Sequence, residues 1–195
     1  MKTVRSFPRK IREIPNTFIP LPDGTQLAAR IWMPVDAEKN PVPVILEYLP
    51  YRKRDGTHVR DALTHPYFAG HGYASIRVDM RGNGDSEGLM LDEYALQEQD
   101  DALEVIAWLA EQPWCNGKVG LSGVSYFGIN QWQVAGLNPP HLAAMCIWEG
   151  AADWYRDMTH HGGILSTFWD HWYDMQVKTV QYGVGERGPK SPATG

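Results

Sequence analysis

Apolar residues fall into two rhythms along this chain. Short, nearly continuous apolar runs alternate with longer stretches in which apolar positions recur at helical spacing. Val44-Ile45-Leu46-Glu47-Tyr48-Leu49, Tyr73 to Asp79, Lys118 to Ser122 and Leu142 to Trp148 read as buried strands. Between them, Asp61 to Ala69, Tyr94 to Gln112 and Tyr126 to Gly136 read as helices. Gly70 and Gly72 end the first of these and Pro113 the second. In the longest helix Leu96, Ala102, Leu103, Ile106, Ala107 and Ala110 mostly share one stripe, and Glu98, Asp101 and Glu104 are expected to face water. Ahead of these units, Thr17 to Leu21 and Gln26 to Met33 flank Pro22-Asp23-Gly24 and read as an edge hairpin.

The resulting order is β-β-β-α-β-α-β-α-β. It implies an α/β fold: a mostly parallel sheet of about six strands with helices on both faces, entered through an antiparallel hairpin. Residues 1–150 form this unit. After Gly150 the chain is rich in aromatics, His and Asp, and residues 151–182 read as helical. The Gly/Pro-rich, polar stretch 183–195 reads as a flexible tail.

Charge and composition narrow the function classes. A net charge of −5 provides no basic face for phosphates, so nucleic acid is not expected as a partner. No run approaches a membrane span, and the basic start, residues 1–16, has no signal-like apolar core; a cytoplasmic protein is expected. Cys115 and Cys146 are too few for a disulfide framework and lack zinc-ligand spacing; both are expected as reduced, buried thiols. Eight Trp and nine Tyr against five Phe favour pockets and interfaces, although most of these rings are expected in the core.

The strongest chemical signal is Gly123-Val124-Ser125-Tyr126-Phe127-Gly128. It is one position off the G-x-S-x-G nucleophile elbow, with Phe127 at the usual second glycine. A strand leads in and a helix leads out, and this sharp turn lifts a serine oxygen clear of a sheet. The helix start beneath Ser125 favours an oxyanion, with the Tyr126 amide as a donor. Tyr51, just after the third strand, stands where the fold supplies the other donor, and its hydroxyl can serve. The segment Asp79 to Gly88 follows a strand, but its glycine spacing is wrong for a dinucleotide loop. A structural role is expected instead, with Asp79 and Arg81 paired. Pro189-Lys190-Ser191 lacks the glycine that a P-loop needs before its lysine, and adjacent His160 and His161 cannot both face one metal on a helix. No cofactor and no metal are expected.

Several motifs together resemble the X-Pro dipeptidyl-peptidase and cocaine-esterase-like serine hydrolases. They are Asp79-Met80-Arg81-Gly82-x-Gly84-x-Ser86-x-Gly88, Gln112-Pro113-Trp114-Cys115-Asn116-Gly117-Lys118-Val119-Gly120 and Gly123-x-Ser125-Tyr126-x-Gly128. Pro50-Tyr51 and Asp153-Trp154-Tyr155-Arg156 to Gly162-Gly163 add to them. The resemblance implies an α/β-hydrolase domain, a helical cap beginning near residue 151, and hydrolysis of acyl or aminoacyl esters or amides by a Ser-Asp-His triad. Ser125 is then the nucleophile. The Tyr51 hydroxyl and the Tyr126 amide form the oxyanion hole. Trp148, Trp154 and Trp169 belong to the stretch that walls the acyl pocket.

In that family the acid and base follow later strands, after the seventh and eighth. Only six strands are legible here. The chain therefore reads as the N-terminal part of a serine hydrolase whose partner is a complementing C-terminal chain or a second copy. The alternative is an inactive remnant that keeps the fold as a binding or assembly module. Asp153, Asp157, Asp170, His160, His161 and His171 follow Ser125, but in the cap-like segment and not at strand ends.

Overall fold

A computed structural model describes residues 6–54 and 56–177; the tail 183–195 lies outside the described residues. Six strands, β1 (Ile11–Pro20), β2 (Gln26–Pro34), β3 (Val42–Leu49), β4 (Ala74–Asp79), β5 (Cys115–Val124) and β6 (Leu142–Trp148), form one sheet. Their order is β1-β2-β4-β3-β5-β6. β1 with β2 and β2 with β4 are antiparallel, whereas β4, β3, β5 and β6 run parallel. Helices α1 (His58–Gly70), α2 (Leu96–Ala110) and α3 (Tyr126–Gly136) connect the parallel strands.

β4 is buried along its whole length, as a central strand covered on both faces must be. Its alternation sorts the helices. Ser75 and Arg77 point to one face, where they meet His65 and Asp61 of α1. Ile76 and Val78 point to the other and join Ala102, Val105, Ile106 and Leu109 of α2 in the apolar core.

Several expectations change. β1 begins at Ile11, well before Thr17, with a register shift between Ile14 and Thr17. Pro15 lies within that shift, and an edge strand can absorb a proline in a bulge. Glu98 and Asp101 are buried and only Glu104 faces water. Both acids lie under polar partners from distant elements, which helical periodicity cannot reveal. Asp79 does not pair with Arg81. It accepts from the amides of Lys53 (2.7 Å) and Asp85 (3.0 Å), while Arg81 forks onto Asp101 and reaches Asp23. Cys115 is buried but Cys146 is exposed, because β6 is the outer strand of the described sheet. Most rings were expected in the core, but several are exposed, including Trp132, Trp148, Trp154, Tyr155 and Tyr173.

Beyond Gly150 the described chain is not continuously helical. It forms a π-helical turn (Trp154–Thr159), a small hairpin of β7 (His160–His161) and β8 (Ile164–Leu165), α4 (Phe168–Trp172) and a second π-helical turn (Tyr173–Val177). Gly162 and Gly163 both take positive φ and turn the chain where a helix would have to continue. Among the described residues, no helix is long and apolar enough to cross a membrane.

Candidate active site

The two central parallel strands create the site. After β3 the chain crosses to β4 on one side; after β5 it crosses to β6 on the other. The C-terminal ends of β3 and β5 therefore open onto a crevice from which both connections diverge. Tyr51 sits just past the end of β3 and Ser125 just past the end of β5.

Ser125 has φ 57° and ψ −111°, a conformation that a residue with a side chain rarely adopts. Its amide donates to the Trp148 carbonyl (3.0 Å), tying the turn to the end of β6. The flanking glycines are steric requirements. A Cβ at Gly123 would overlap the Phe127 ring, and one at Gly128 would come within 2.6 Å of the Trp148 carbonyl oxygen. The second glycine thus stands at 128, where α3 meets the end of β6, and Phe127 is buried in the core. Ser125 itself is half-buried and lines an open cavity of about 400 Å³ with Pro50, Tyr51, Arg60 and Trp172.

Two donors converge beside it. The Tyr51 hydroxyl donates to Ser125 Oγ at 3.4 Å and accepts from the Tyr126 amide at 3.3 Å. Burial raises the Tyr51 phenol above its ordinary value, so it stays protonated and able to donate at neutral pH. Its ring meets Tyr126 and Trp172 edge-on, at 6.3 and 6.0 Å between centroids. Arg52, with φ 61°, bends the chain directly behind it.

Tyr126 is held from below. Its phenol donates to Glu98 Oε1 and accepts from the Tyr94 amide (3.2 Å), which also donates to Glu98 (2.9 Å). The Tyr94 ring stacks on the Tyr126 ring, 4.2 Å apart and tilted by 16°. Burial, offset in part by the bond from Tyr126, pushes the Glu98 carboxyl up to about 8. This polar layer was not legible in the sequence, because Glu98 sits at a position that the apolar stripe assigns to solvent.

The X-Pro dipeptidyl-peptidase (S15 family) pattern matches residues 23–191. The chain belongs to that family. Cocaine esterase from Rhodococcus sp. is 38% identical over 156 residues, which is 77% of this chain and 26% of that protein. The Xaa-Pro dipeptidyl-peptidase of Lactobacillus helveticus is 26% identical over 115 residues, covering 51% of this chain and 14% of that protein. A CocE/NonD family hydrolase from Staphylococcus aureus superposes with a TM-score of 0.74 at 31% identity, over 86% of this chain and 34% of its own. The sheet is accordingly part of the α/β-hydrolase fold of the CocE/NonD proteins. The chain spans between about a seventh and a third of the lengths of these relatives.

Within this S15-family frame, Trp148, Trp154 and Trp169 do not line the Ser125 cavity. Trp148 is exposed, bonds Cys146 Sγ through its indole N–H, and lines a separate groove with Phe68 and His65 of α1. Trp154 packs on Tyr94 and Trp169 packs on Trp154. The ring at the Ser125 cavity is Trp172, whose indole N–H is fixed by the Glu93 carboxylate (2.8 Å).

No His borders the Ser125 cavity among the described residues. His160 stacks on Tyr155, and His161 bonds the Asp157 carbonyl. The one cluster with metal-ligand chemistry among the described residues is Glu47, Asp61 and His65. Arg77 bonds both carboxylates and Arg60 bonds Glu47 (2.6 Å), so their charge is already neutralised. Burial works to raise both acids, and His65 and Arg77 outweigh it, leaving both below the usual carboxylate range. This is an ion-pair network under the sheet.

Proposed function

We propose that this chain carries the nucleophile and the oxyanion hole of a serine hydrolase that cleaves ester or amide bonds of acyl or aminoacyl substrates. The observation that carries the reading is the convergence of the Tyr51 hydroxyl and the Tyr126 amide beside Ser125 Oγ. Ser125 Oγ attacks the carbonyl carbon and its proton passes to a base. The carbonyl oxygen becomes an oxyanion that accepts from the Tyr51 hydroxyl and the Tyr126 N–H. Collapse expels the alcohol or amine and leaves an acyl-enzyme, which water hydrolyses. The aromatic wall that includes Trp172 suits an apolar acyl group. All seven His lie among the described residues and none borders the cavity, so this reading takes the base, with its acid, from a complementing chain. Without them the oxyanion hole alone sustains roughly 10³–10⁴-fold catalysis over water.

A fluorophosphonate probe followed by peptide mapping tests the assignment. The adduct is expected on Ser125 and is lost in Ser125→Ala. A folded, wild-type sample that carries its label elsewhere removes Ser125 as nucleophile. A second reading, an inactive module that retains the pocket, is favoured by the absence of a His at the cavity among the described residues. Turnover of a nitrophenyl ester that disappears in Ser125→Ala eliminates it.

A further inference from the structure

Glu98 is the one buried carboxyl beneath the elbow that the proposed reaction does not use. It is 6% exposed and lies on the first turn of α2. Oε1 takes two donors, the Tyr126 phenol and the Tyr94 amide, while Oε2 is buried with no hydrogen-bond partner. The Tyr126 ring therefore has its tip held by Glu98 and its face held by Tyr94. The backbone of that residue is the first of α3 and carries the amide that points at the Tyr51 hydroxyl. A side chain fixed at both tip and face leaves its own backbone little freedom, and oxyanion donors act only when pre-aimed.

We infer that Glu98 is a positioning residue of the oxyanion hole, which clamps the Tyr126 phenol and through it aims the Tyr126 amide. The consequence for catalysis rests on the reading of Ser125 as nucleophile; the clamp itself does not. An ionised Glu98 accepts the phenol proton in a charge-assisted bond, stronger than the bond to its neutral form. The clamp thus tightens as pH rises. The groups facing Glu98 are the Tyr126 phenol from α3, Tyr94, Glu93 and Asp92 from the preceding loop, and the Tyr48 phenol from β3. Asp101 lies one turn on, held by Arg81. Burial raises the phenols of Tyr48, Tyr94 and Tyr126, so they stay protonated while Glu98 titrates.

The test uses the full chain labelled with ¹⁵N-tyrosine, with the Tyr126 signal assigned by its loss in Tyr126→Phe. The Tyr126 amide is expected to shift with a midpoint near pH 8 in wild type and to stay flat in Glu98→Gln. Fluorophosphonate labelling of Ser125 is expected to slow by about 10- to 100-fold in Glu98→Ala, as for a misplaced catalytic donor. Glu98→Gln, which still offers an acceptor, slows it less and removes the pH inflection. Tyr126→Phe and Glu98→Ala act on one clamp, so their combined effect is expected to be far below the sum. A Tyr126 amide that never titrates, or that titrates equally in Glu98→Gln, overturns the inference, as does a Glu98→Ala protein labelled at the wild-type rate. If wild type takes no label on Ser125, the nucleophile reading fails and the amide titration alone decides the clamp. Glu98→Gln keeps the test available if Glu98→Ala does not fold.

Discussion

At the residue scale, the proposed chemistry rests on one strained backbone and one hydroxyl. Ser125 holds a positive φ that costs about 1–3 kcal/mol for a residue with a Cβ. Ser125→Gly is therefore expected to be more stable than Ser125→Ala by about 1 kcal/mol in urea unfolding, even though neither can be labelled. Equal stabilities would mean that the turn stores no strain. Tyr51 supplies one of two donors beside Ser125 Oγ. Tyr51→Phe is expected to lower ester turnover or probe labelling by about 10²–10³-fold, with an unchanged thermal midpoint, because its ring contacts persist. The turn that carries Ser125 and Tyr126, and the place of Tyr51 after a strand, were legible, since a strand-turn-helix pattern and a position after a strand are local signals. Glu98 and Trp172 were not. Each acquires its place from a partner far away in sequence, Tyr126 for the first and Glu93 for the second.

At the element scale, the elbow exists because three elements meet closely. α3 begins where β5 ends, and Gly128 on its first turn lies against the end of β6. A methyl there would approach a backbone carbonyl to 2.6 Å, and backbone cannot swing aside. Gly128→Ala is expected to destabilise the protein by about 1–3 kcal/mol, measured as a lower urea midpoint at unchanged slope. A wild-type midpoint would show that α3 can lift away from β6. The strands and three main helices were legible because their burial follows short-range periodicity. The start of β1 was hidden by Pro15, which an edge strand tolerates and a central strand does not. The segment after Gly150 is helical only in part, because Gly162 and Gly163 turn it back on itself between its helical turns.

At the scale of the whole molecule, four of the buried acids divide into two pairs that respond oppositely to pH. Asp61 and Glu47 are held below their ordinary values, so the stability they contribute is present above pH 4–5 and is lost as pH falls. Burial raises Asp79 to about 6 and Glu98 to about 8, so the folded state binds more protons than the unfolded state between the ordinary carboxylate values and these. Their contribution is greatest in the acid range and declines as pH rises through 6 and then 8. Urea unfolding is expected to give a stability maximum near pH 5 with a decline towards pH 8, and Glu98→Gln is expected to flatten the upper part of that decline. A maximum at pH 7 or above would show that these acids are better solvated than their burial implies. The order of strands and helices, the α/β architecture and the serine at its turn were determined by the sequence alone, because alternation, helical spacing and glycine punctuation act over a few residues. Which strands lie side by side, which acids are buried, and which tryptophan reaches the serine were decided only by tertiary structure. Those outcomes depend on contacts between segments tens of residues apart, where burial and charge pairing override what each segment prefers by itself.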